Sequence, residues 1–117
     1  MNNQTIFNRV SKHLLKQMKR SSLNGDNSVC LYRGPNGLKC AVGILIPDKD
    51  YRDYMEYDGT VINPHSEVRI YLSQRGYSAN NFELLDRLQR LHDNYDPKDW
   101  KRELVKVAKT FDLKFTS

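Results

Sequence analysis

A chain of 117 residues, 38% hydrophobic and 10% aromatic, is long enough to bury a core as one domain and too aromatic for a disordered segment. Its apolar run AVGILI (41–46) has only six residues, far short of the ~20 that span a bilayer, so no membrane association is expected. The net charge of +5 is uneven: residues 1–40 hold seven Lys/Arg and one acid, Asp26, against twelve and thirteen in residues 41–117, which directs any acidic partner to the first third.

Residues 5–21 predict the first helix. Phe7, Val10, Leu14 and Met18 recur at steps of three and four, flanked by Ile6 and Leu15. At ~100° per residue, Arg9, Lys12, Lys16, Lys19 and Arg20 share one face. With no acid among them, they form the candidate nucleic-acid surface. A solvated helix face is the plainer reading, and no helix-turn-helix, zinc-finger or base-stacking motif accompanies it. Cations mixed among the apolar residues do not make a secretory leader, so the cytoplasm is the expected compartment and the cysteines are expected as thiols. Asn24-Gly25 is the expected helix stop.

Residues 30–51 break the helical habit. They hold both cysteines, three of six glycines and two of four prolines. The turn chemistry of GPNG predicts a β-hairpin, Val29–Arg33 against Leu38–Ala41, packed on the helices because a lone hairpin is marginal. In that register Cys30 and Cys40 point to opposite faces, which opposes a disulfide. CAVGILI (40–46) reads either as more strand or as a short buried helix from Cys40, and Gly43 marks a close backbone approach.

Asp48 is the expected cap of a short helix through Tyr57. Its Tyr51, Tyr54, Met55 and Tyr57 suit either a contact surface or packing over the hairpin. Asn63-Pro64 predicts the next helix start, with Val68, Tyr71 and Leu72 inward until Gly76. Asn80 to Glu83 reads as a capping box for a helix whose stripe is Leu85, Leu88, Leu91 and Tyr95. His92 falls inside that stripe and must find a partner, a carbonyl or a tyrosine. Asp96-Pro97 opens the last helix, with Trp100, Leu104, Val107, Ala108 and Phe111 inward. The expected fold is mainly α (α+β) over residues 1–117: four main helices, one or two short ones and a small hairpin.

The segments CLYRGPNGLKCAVGILIPD (30–48), YMEYDG (54–59), LLDRLQRLHDN (84–94) and DWKRELVKVAKTFDL (99–113) resemble a group of short proteins of tailed phages and prophages. The resemblance implies a phage-encoded accessory protein working inside a bacterium and carries no catalytic residues. Here MEYDG stands where a shorter Met-Glu-Gly turn is expected, a local departure at Glu56.

The chemical alternatives are narrow. Cys40 at a helix N-terminus with His92 as base would make a thiol enzyme, but Asp93 is adjacent to His92 and points ~100° away, poorly placed to orient it. A zinc site from Cys30, Cys40, His13 and His92 lacks closely paired ligands, so no metal or cofactor is expected. RGPNG lacks the spacing of a phosphate loop, although its N–H groups beside Arg33 and Lys39 suit an anion. The expected function is therefore binding, by a corner of Tyr32, Arg33, Asn36, Lys39, Tyr51 and Tyr54. Its expected partner is a host protein or a nucleotide-like small molecule, and its effect is to modulate or inhibit a host system, including a defence system. Nucleic-acid binding and the Cys40/His92 enzyme are the alternatives.

Overall fold

In a computed structural model describing residues 1–22, 30–57 and 60–116, four α-helices carry the chain: α1 (Asn3–Gln17), α2 (Glu67–Gln74), α3 (Ala79–Asn94) and α4 (Trp100–Thr110). Helices α1, α3 and α4 pack against one another. Their apolar stripes meet in a core that includes Phe7, Val10, Leu14, Leu85, Leu88, Trp100 and Leu104. Each fully buried side chain of this kind contributes about 2 kcal/mol. Helix α2 lies against a short 3-10 segment, Asp53–Tyr57.

The helices follow the predicted periodicity, but their ends differ. Asn2 caps α1 by accepting from the N–H groups of Gln4 and Thr5. Met18 adopts the left-handed conformation (φ 52°) and its N–H returns to the Leu14 carbonyl, which stops α1 at Gln17. Lys19 and Arg20 are therefore not on the helix. The expected stop at Asn24-Gly25 lies outside the described residues. Ser66 caps α2, its Oγ accepting from Arg69 N–H at 3.1 Å, while Asn63-Pro64 forms a turn ahead of it. At α3 the capping pair is Ser78 and Asn81, with Ser78 N–H donating to Asn81 Oδ1 at 2.9 Å, two residues earlier than Asn80 and Glu83. Tyr95 ends this helix and is exposed. Pro97–Asp99 forms a 3-10 turn before α4.

The β-hairpin is not there. Among the described residues there is no β-strand, only an isolated bridge between Ser22 and Cys30. The turn itself forms: Gly34 N–H donates to the Leu38 carbonyl at 2.8 Å, with Asn36 and Gly37 at φ 59° and 80°. Beyond it, the groups a ladder needs are taken by distant side chains. The N–H groups of Tyr32 and Arg33 donate to the Glu56 carboxylate at 2.9 and 3.0 Å. Lys39 N–H donates to Gln17 Oε1 at 3.0 Å. Its carbonyl accepts from His13 Nε2 at 2.8 Å and Gln17 Nε2 at 2.9 Å. Side-chain donors and acceptors on α1, and the Glu56 carboxylate of the 53–57 segment, thus outcompete strand pairing for these backbone groups.

Residues 40–46 are neither strand nor α-helix but a buried turn ending in a 3-10 turn, Gly43–Leu45. A Cβ on Gly43 would stand 2.3 Å from the Tyr32 carbonyl oxygen, so the expected close approach is real and only glycine fits. Asp48 caps no helix; it is exposed and pairs with Arg33 and Lys39.

Candidate functional site

Turn chemistry brings the block back on itself, and two charged side chains then lock it. Glu56 receives Tyr32 N–H, Arg33 N–H and the Tyr51 hydroxyl, the last at 2.5 Å. Burial, together with this bond to Glu56, pushes the Tyr51 hydroxyl up, which keeps it a donor. Arg33 does the converse work on acceptors. Its guanidinium donates to the carbonyls of Gly43 at 2.8 Å and Tyr32 at 3.2 Å, to the Ile46 carbonyl, and to Asp48 Oδ1 at 3.1 Å. It also lies 4.8 Å from the Tyr51 ring centroid, a cation–π distance. Lys39 Nζ reaches Asp48 at 3.3 Å. The hydrogen bond and charge of Lys39, with Arg33 behind it, hold the Asp48 carboxyl below its ordinary value.

The structure therefore gathers Arg33, Lys39 and Tyr51, with Tyr32 buried beneath them, but spends their polar atoms internally. The Arg33 side chain is 16% exposed. Asn36 is exposed at the turn tip. Tyr54 is not in this corner: it lines a groove of about 310 Å³ with Arg52, Met55, Glu67, Ile70 and Arg75. Glu56 is the residue that sequence reasoning set aside. Two acids, Asp53 and Glu56, stand among the tyrosines of this segment, and nothing in their spacing singles out Glu56.

The second polar centre surrounds His92, which is fully buried. Its Nε2 accepts the Ser21 N–H at 3.0 Å, so its proton sits on Nδ1, which donates to Asp93 Oδ1 at 2.8 Å. Its partners are thus an amide and a carboxylate, not a carbonyl or a tyrosine. The short Asp93 side chain bends back along the helix to reach the neighbouring ring, contrary to the expectation from helical angles. His92 also stacks on Trp100, with centroids 5.5 Å apart.

Burial alone would raise the Asp93 carboxyl, but donors on His92, Cys30 and Gln89 together bring it below its ordinary value. Burial and the adjacent Asp93 push the Cys30 thiol up to about 12. Burial pushes the Cys40 thiol up to about 12, although the Gly43 N–H at 3.3 Å pulls the other way. Both cysteines are protonated thiols at neutral pH, and no hydrogen bond joins Cys40 to His92 among the described residues. That geometry provides no activated thiolate.

Donor atoms of Cys30, His92 and Asp93 lie within 4.8 Å of one another. A cation there would need the lone pair of Nδ1, forcing a proton onto Nε2 and against the Ser21 N–H. Protons satisfy the cluster instead. His13 and Cys40 are not part of it.

The basic face of the first helix is reduced. Arg9 donates to the Ile44 carbonyl at 3.2 Å. Lys12 and Lys16 line a groove of about 420 Å³ with Leu15 and Phe115. Arg20 is buried, its Nε donating to the His92 carbonyl at 3.3 Å and its Nη2 meeting Asp96 at 3.4 Å, so it caps the end of α3 and does not face solvent.

Exposed apolar side chains lie outside this corner: Tyr54 and Tyr57 are 52% and 84% exposed, and Tyr54 shares its groove with the exposed Ile70. Compared with known protein families, curated proteins and solved structures, the chain matches none.

Proposed function

We propose that the chain is a phage-encoded accessory protein that binds a host protein through the face of the 53–57 segment and α2, and modulates or inhibits the host system to which that protein belongs. The carrying observation is the pairing of Tyr54 with Ile70 across one open groove, both exposed and neither needed by the core. Arg33 and Lys39, by contrast, are occupied within the chain. Tyrosine offers large contact area at small entropic cost, and exposed apolar side chains gathered on one face are what a partner covers. Arg52, Glu67 and Arg75 rim the groove with both signs of charge, as a polar rim does around an apolar contact. The phage origin rests on the sequence resemblance.

The test is affinity capture from bacterial lysate with the wild type and with Tyr54→Ser/Ile70→Ser. A host protein retained by the wild type and reduced at least tenfold by the double variant, with unchanged thermal unfolding, supports the reading. Identical retention by both proteins removes it.

A further inference from the structure

We propose that a second groove, between residues 45–50 and α2, is a binding site for a small molecule carrying one flat ring and one anionic group. This goes beyond the protein-docking reading and needs no host partner.

The groove measures about 450 Å³, within the roughly 300–1,000 Å³ of small-molecule sites. Its lining divides into two parts. Leu45, Pro47 and Leu72, with the rings of Tyr71 and Tyr77, form an apolar and aromatic wall. Lys49 and Arg75 stand at the rim.

The single acid, Asp50, is already engaged. The Tyr71 hydroxyl donates to its Oδ2 at 2.5 Å and Arg75 Nη2 stands 3.6 Å from the same oxygen. Its carboxyl is accordingly held low, the Tyr71 hydrogen bond being the main cause. Among the lining side chains, one carboxylate against two cations leaves one positive charge in excess.

The cations are positioned for a ligand. The Arg75 guanidinium lies 4.3 Å from the Tyr71 ring centroid and its side chain is 50% exposed. It is therefore oriented by stacking and by Asp50, with half of its side chain still open to solvent. Lys49 makes no ion pair among the described residues. Tyr77 is half-buried, and its hydroxyl has no hydrogen-bond partner there either. That hydroxyl is an open donor beside two cations, which an incoming anion can engage. The tyrosine rings meet a flat ring, and Arg75, Lys49 and the Tyr77 hydroxyl meet its charge.

Isothermal titration of the full chain with four probes tests this: AMP, indole-3-acetate, adenosine and inorganic phosphate. At least one ring-bearing anion is expected to bind ten times more tightly than either adenosine or phosphate. Binding of AMP identifies phosphate as the charge, and binding of indole-3-acetate alone identifies carboxylate. Arg75→Gln or Lys49→Gln is expected to weaken that binding at least fivefold without moving the unfolding temperature. The proposal is overturned if neither ring anion exceeds phosphate and adenosine, or if binding persists unchanged in both variants. Arg75 borders both grooves, but Lys49 lines this one alone and Tyr54 and Ile70 the other alone, so the Lys49 variant and the Tyr54/Ile70 variant separate failure here from failure of the docking reading.

Discussion

Removing the Glu56 carboxylate is the most direct perturbation of the block. Glu56→Ala takes away the acceptor of two consecutive backbone N–H groups, at 2.9 and 3.0 Å, and of the Tyr51 hydroxyl. Hydrogen bonds to a charged group contribute about 1.5–3 kcal/mol each. Glu56 is only half-buried, so water replaces part of this, and Tyr51 can turn its hydroxyl to solvent. The net loss should be about 3 kcal/mol, concentrated on the Tyr32 and Arg33 amides. For a chain of this size that lowers the unfolding temperature by about 12 °C. Glu56→Gln retains one acceptor oxygen but places an amide donor toward an N–H, and should lose about half as much. Tyr51→Phe removes a single donor and should cost about 1 kcal/mol. Urea unfolding gives the free energies, and amide hydrogen exchange locates them. If Glu56→Ala stays within about 0.5 kcal/mol of wild type, or the Tyr32 and Arg33 amides exchange no faster, the carboxylate does not hold the block.

Two further outcomes follow from the buried geometry. Asp93 has its folded carboxyl held below the ordinary value by His92, Cys30 and Gln89, against burial. Its contribution to stability is therefore complete above the ordinary carboxylate range and is lost as pH falls through the lower folded value. Asp93→Asn should flatten the fall in unfolding temperature below about pH 4, and an unchanged acid limb would show that other carboxylates govern it. Gly43→Ala places a methyl carbon 2.3 Å from the Tyr32 carbonyl oxygen, a backbone atom that cannot rotate away. It should cost at least about 3 kcal/mol by overpacking, read by urea unfolding, whereas a cost below about 1 kcal/mol would mean that the two segments separate freely.

The helices were legible because burial imposes a period on them: Phe7, Val10 and Leu14, or Trp100, Leu104 and Val107, announce their faces without tertiary help. The end of α1 was not, since Met18 takes a left-handed conformation with no glycine to signal it. The turn at Asn36-Gly37 was equally readable from local chemistry. The hairpin failed because pairing is settled by competition. Glu56 and Gln17 lie more than twenty residues from the amides they hold, and no local pattern reveals such an acceptor. His92 could be identified as buried, but its partner is the backbone of Ser21, which any residue there would supply. Tyr54 was grouped with Tyr51 by proximity in sequence, yet it lines a groove that Tyr51 does not.

Closing the block with an arginine and a glutamate has a consequence for how the protein behaves at high concentration. A two-stranded ribbon in its place would have offered a row of open N–H and C=O groups to a strand of any other molecule. Here the groups of Tyr32, Arg33, Gly43 and Ile46 are capped from within, so at these residues a strand of another molecule finds no open row to pair with.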